Sequence, residues 1–68
     1  MYKGKVVHLV NQKGFGFIQC DEFEDNLFFH AKDVKNVPFD TLLKDDEVTF
    51  ENTKKSEKGL SAINVKKV

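Results

Sequence analysis

A chain of 68 residues is expected to form a single domain spanning residues 1–68, since it is too short for two cores and a unit of this size buries only about 60% of the surface its unfolded form exposes. Hydrophobic residues make up 40% of the chain and charged residues 32%, which excludes a disordered or membrane-embedded chain, and the lone Cys20 excludes an internal disulfide framework. Eleven basic residues balance eleven acidic ones, so bulk electrostatic attraction is excluded as the means of gripping a polyanion. The charges are nonetheless segregated. Lys3, Lys5 and Lys13 stand in the first twenty residues without an acid, while acids crowd residues 21–30 and 39–51, leaving room for a basic face.

In chain order, Lys5–Val10 is rich in β-branched residues, Phe15–Cys20 alternates sharply, and Leu27–His30 is a short aromatic run bounded by acidic turn residues. These segments predict three strands. Pro38 interrupts residues 31–47, which lack a sustained helical period, so a short helical turn near Ala31–Val34 is expected there, followed by a long loop. Val48–Glu51 and Ile63–Val65 alternate apolar with polar and predict two more strands. Five short strands with almost no helix predict an all-β fold, a five-stranded OB-type barrel with a helical turn after its third strand, because closure removes exposed edges. An RRM-type domain also uses a Gly-Phe-Gly-Phe strand but needs two helices, for which there is no room.

Strand alternation sorts the aromatic residues. Phe15 and Phe17 share one face and Ile18 and Cys20 the other; Phe28 and His30 share one face, Leu27 and Phe29 the other. With Ile18, Leu27, Phe29, Val48, Phe50, Ile63 and Val65 supplying an interior, Phe15, Phe17 and Phe28 are expected on the surface as a patch that needs a ligand to explain it. Same-face neighbours lie about 6.6 Å apart along a strand and strands about 4.8 Å apart, a grid on which bases can stack. Gly14 and Gly16 are expected to leave the rings uncrowded and to let the backbone twist. Lys13, at the start of the glycine-rich strand, is placed to meet a phosphate.

His8, His30 and Cys20 lack the spacing of a chelating set, so no metal is expected. Cys20 reads as a small buried hydrophobe. No carboxylate pair, phosphate loop or nucleophile motif is present, so neither catalysis nor a cofactor is expected. The apolar run Val6–Val10 is interrupted by His8 and too short for a signal-peptide core or a membrane span, which predicts a cytoplasmic protein without membrane association.

Gly4-Lys5-Val6, Lys13-Gly14-Phe15-Gly16-Phe17-Ile18 and Leu27-Phe28-Phe29-His30, in this order and spacing, resemble the start and the two RNP-type motifs of the bacterial cold-shock proteins and the cold-shock domain family. Phe39-Asp40-Thr41-Leu42 and Lys58–Val65 resemble the family's later loop and last strand. The resemblance implies an OB-type barrel that binds single-stranded RNA and DNA with low sequence selectivity, as an RNA chaperone or transcription antiterminator. Carried over by position, it implies base stacking at His8, Phe15, Phe17, Phe28, His30, Ala31 and Phe39, and basic or polar contacts at Lys13, Lys58 and Ser61. The family usually has tryptophan where this chain has His8, an aromatic where it has Ala31, and often a basic residue where it has Val7. A trimmed platform implies micromolar rather than nanomolar affinity, since each stacked base is worth about 1–3 kcal/mol. A monomer is expected, with an edge-strand or swapped dimer as the alternative state. The rival reading is a protein-interaction barrel with weak or lost nucleic-acid binding, suggested by the zero net charge.

Overall fold

The computed structural model describes residues 1–57 and 59–68. Among the described residues there are seven strand segments: β1 (Tyr2–Val10), β2 (Phe15–Gln19), β3 (Leu27–His30), β4 (Glu47–Phe50), β5 (Asn52–Ser56), β6 (Gly59–Ile63) and β7 (Lys66–Lys67). Two 3-10 turns, Ala31–Asp33 and Phe39–Thr41, lie between β3 and β4. Laid flat, the strand order is β5-β6-β3-β2-β1-β4-β7. The two ends of that order belong together. Val48 pairs with Lys67 and Thr49 with Lys66, and the same antiparallel register continues from Asn52 against Ile63 to Ser56 against Gly59. β4–β5 is therefore one arm of a bent hairpin and β6–β7 the other, and the sheet closes on itself as a five-stranded barrel of the OB type. Parallel pairing of β3 with β6, at Phe28 and Ser61, supplies the remaining seam.

The hairpin is longer than its sequence suggests. Alternation predicts strands only at Val48–Glu51 and Ile63–Val65, whereas the ladder runs on through Asn52–Ser56 and Gly59–Ile63. Asn52–Ser56 extends past the core with no buried residue, so no hydrophobic period marks it. Ile63 is only half-buried and Ala62 takes its place inside. Asn64, with φ of 52°, breaks the alternation so that Ala62 and Val65 both face inward.

Val6, Ile18, Cys20, Leu27, Phe29, Phe39, Leu42, Val48, Phe50, Ala62 and Val65 fill the barrel. Phe39 is a correction to the expected surface set: it is 6% exposed and its ring centroid lies 5.9 Å from that of Phe29. The 3-10 turn that follows Pro38 explains this, because residues three apart eclipse one another in such a turn and Phe39 and Leu42 enter the core together. The turn is held by Thr41, whose backbone N–H and hydroxyl both donate to the Pro38 carbonyl, at 3.1 Å and 2.7 Å.

Gly16 also differs from expectation. It is buried on the core side of β2, away from the Phe15 and Phe17 rings, where a Cβ would stand 2.7 Å from the His8 carbonyl oxygen and 2.9 Å from Phe29 Cε1. The residue is small to admit Phe29, not to clear the surface. Replacing Gly16 by Ala should lower stability by about 1–3 kcal/mol, as overpacking against backbone does; an unchanged urea midpoint would refute this account.

The segregated charges meet across the barrel wall. Lys3 lies 3.4 Å from Glu47, Lys5 3.9 Å from Asp45 and Lys67 3.4 Å from Asp46. The acidic turn thus neutralises much of the expected basic face, though exposed pairs of this kind add only about 0–1 kcal/mol each. Asp46 does more: the Leu43 N–H donates to its carboxylate at 2.9 Å. That hydrogen bond, opposed by burial and assisted by Lys67, holds the Asp46 carboxyl below its ordinary value of 3.8. A carboxyl depressed in the folded state stabilises it above the ordinary value, and the contribution is lost as pH falls through the lower, folded one. Denaturant midpoints recorded from about pH 6 down to pH 2 should therefore fall less steeply in Asp46→Asn than in the parent.

Candidate nucleic-acid interface

Antiparallel pairing aligns β2 and β3 so that Phe15 stands opposite His30 and Phe17 opposite Phe28. Paired residues share a face. Gly16, Ile18, Leu27 and Phe29 are buried, while Phe15, Phe17, Phe28 and His30 lie on the outer side. The division drawn from alternation is the one the barrel adopts.

The outer rings form a contiguous patch. Phe15 and Phe28 centroids are 5.2 Å apart, Phe17 and Phe28 5.9 Å, and Phe15 and Phe17 6.0 Å, the last two pairs edge to face. They are half-buried rather than exposed as alternation suggests, and the ring-to-ring contacts within the patch account for part of that burial.

His8 joins the patch through an irregularity in β1. Val6 pairs with Ile18 and His8 with Phe17, so the register skips Val7, which is an inserted bulge residue. Regular pairing would set His8 opposite Gly16, on the core face. The bulge instead turns it outward, with its ring 6.0 Å from that of Phe17. After the bulge Leu9 pairs with Gly16 and packs against the core, while Val10 pairs with Phe15. Val10 and Gln19 thus border the rings as well. Alternation carries a signal for Gln19, which follows Phe17 at the same two-residue spacing, and none for Val10, whose place depends on the bulge.

His30 sits at the far edge in a second role. Its Nδ1 accepts from the Lys32 N–H at 3.2 Å and its own N–H donates to Asp33 Oδ2 at 3.3 Å, a reciprocal cap on the Ala31–Asp33 turn. Lys13 is exposed in the β1–β2 turn, where the Gly14 N–H bonds the Val10 carbonyl at 2.9 Å and Gly14 takes φ of 72°, a left-handed conformation that favours glycine. The Ala31 N–H donates to the Gly14 carbonyl at 2.8 Å, tying this turn to the edge of the patch. Ala31 itself is half-buried and brings no ring.

Two expected contacts are placed elsewhere. Phe39 belongs to the core, as described. Ser61 neighbours Phe28 across the parallel seam but is only 3% exposed, and its hydroxyl shares a 2.9 Å hydrogen bond with that of Ser56. Lys58 lies outside the described residues. Among the described residues, no three His, Cys, Asp or Glu side chains converge as a metal set, and no helix is long and apolar enough to cross a membrane.

The 'Cold-shock' DNA-binding domain family matches residues 2–68. Cold shock protein CspB of Bacillus caldolyticus is 37% identical over 68 residues, covering 100% of both chains. Cold shock-like protein CspG of Shewanella violacea is 39% identical over 62 residues, covering 91% of this chain and 87% of its own. Among solved structures, Drosophila Unr CSD456 superposes with a TM-score of 0.74 at 34% identity, covering 98% of this chain and 26% of that one. With a barrel of the same kind and a family match over nearly its whole length, this chain belongs to the cold-shock domain family.

Proposed function

We propose that this protein is a cold-shock-type binder of single-stranded RNA and DNA, formed by one domain over residues 1–68 and acting in the cytoplasm as an RNA chaperone or transcription antiterminator. The observation that carries this reading is the contiguous ring patch of His8, Phe15, Phe17 and Phe28, with centroid spacings from 5.2 to 6.0 Å. Such spacing suits successive unpaired bases, whose faces stack on aromatic rings whatever the sequence. A double helix offers no free base faces to the patch. His30 borders the platform, and Lys13, together with Lys58, meets the phosphates. Phe39 and Ser61 are not assigned contacts, since one is in the core and the other's hydroxyl is engaged by Ser56.

The chaperone activity needs neither ATP nor metal. Binding only the unpaired form draws RNA out of its folded states by mass action, as any selective ligand does. Lys3 and Lys5 are held against Glu47 and Asp45, so these two lysines add little to the grip on a phosphate chain and the ring patch is the main source of affinity. Titrating the protein with a pyrimidine oligomer of about six or seven bases should give micromolar binding. Phe17→Ala and Phe28→Ala should each weaken it by about 1–3 kcal/mol while circular dichroism remains that of the folded parent. Equal affinity in the parent and both variants would eliminate the platform. Raising the salt concentration should weaken binding only gently, by about 0.7 log units per log unit of salt for each phosphate neutralised. A slope corresponding to many phosphates would show that charge, not stacking, holds the strand.

A further inference from the structure

The outward turn of His8 brings a titratable ring into a patch otherwise made of phenyl groups. Histidine is the side chain whose charge ordinarily changes between about pH 5 and 8. Among the described residues, no hydrogen bond or ion pair engages the His8 imidazole, which lies beside the Phe17 ring at 6.0 Å. From β2 it is faced by uncharged Phe17, bordered by Phe15 and Gln19. Along β1 the nearest cation is Lys5, held 3.9 Å from Asp45. The segment before β4 reaches this part of β1 through Val6, whose carbonyl accepts from the Asp45 N–H at 2.7 Å and whose N–H donates to the Asp46 carbonyl at 2.9 Å. The carboxylates of Asp45 and Asp46 are both already matched to lysines, Lys5 and Lys67. Lys13 stands beyond Val10 in the hairpin turn.

We propose that His8 is a proton-linked contact for the nucleic acid, binding the strand as an imidazolium, so that affinity for single strands rises as pH falls through the histidine range. This rests on the binding reading given above. A neutral imidazole offers a stacking face; a protonated one adds a charge-assisted hydrogen bond to a phosphate or to a base oxygen. A strand that favours the charged form must, by linkage, bind more tightly where that form prevails. His30 is placed differently, with one ring nitrogen already engaged in a turn cap. Its Nδ1 accepts the Lys32 N–H at 3.2 Å, so that nitrogen is turned toward the backbone and not toward a bound strand.

The test is the dissociation constant of a short thymidine oligomer, whose base does not titrate in this range, at about pH 7.5 and 5.5 and constant ionic strength. The parent should bind about fivefold more tightly at the lower pH. His30→Gln should keep that response, whereas His8→Gln and His8→Phe should bind with little change between the two values. In the parent, the NMR titration midpoint of the His8 ring should move to higher pH when the oligomer is added, a readout that needs no variant. Binding without a pH response, a response that survives in His8→Gln, or an unmoved His8 midpoint overturns the proton linkage and leaves the binding reading standing. Absence of binding at both pH values overturns both.

Discussion

The ring of Phe29 seated beneath the backbone of Gly16 is the contact on which the outer surface depends. With a Cβ at Gly16 the ring would not fit, and with Phe29 elsewhere the barrel would lose one of its largest fully buried side chains. Side chains alternate strictly along a strand, so fixing Phe29 inside fixes Phe28 and His30 outside. The ladder then carries the same parity to Phe15 and Phe17. Core and interface are two sides of one pairing, and a slip of one residue would exchange them.

β1 reaches the interface by a different route. Its first half pairs with β4, from Tyr2 against Phe50 to Lys5 against Glu47, and its second half pairs with β2. The bulge falls where the strand passes from one neighbour to the other, with Val6 held on both backbone groups by the segment ahead of β4. A strand serving two neighbours in a tightly curved sheet must twist sharply, and an inserted residue supplies that twist. The position of His8 on the ring surface is thus a by-product of closing the barrel.

The parts legible in the sequence are those where local periodicity and tertiary placement agree. Phe15 to Ile18 and Leu27 to His30 alternate without interruption, so their faces, the partnership of their rings and the interior place of Ile18, Leu27 and Phe29 follow from the order of residues alone. His8 does not follow in that way: simple counting from Val6 puts it inside, and only its resemblance to a family position suggested otherwise. Alternation extended across Asn64 puts Ile63 in the interior, but the backbone turns left-handed at Asn64 and moves it out. Resemblance by position offers Phe39 as a stacking residue, but a 3-10 turn decides its direction, and no strand rule applies there. The arm from Asn52 to Ser56 lies beyond the core and carries no apolar signal at all. Segregation of acids from bases was visible in the composition, whereas their meeting across the wall required the fold.

Asn36 gives the barrel a finish of another kind. Its side-chain amide donates to the Lys67 carbonyl at 3.0 Å and accepts the Lys67 N–H at 2.9 Å, occupying both backbone groups of a residue in the last, two-residue strand. A single side chain here does what a neighbouring strand would do. An unpaired strand margin is a template on which another chain can polymerise. To recruit a further strand at Lys67, a growing aggregate would first have to displace the asparagine, so one amide acts as a chain terminator for the sheet.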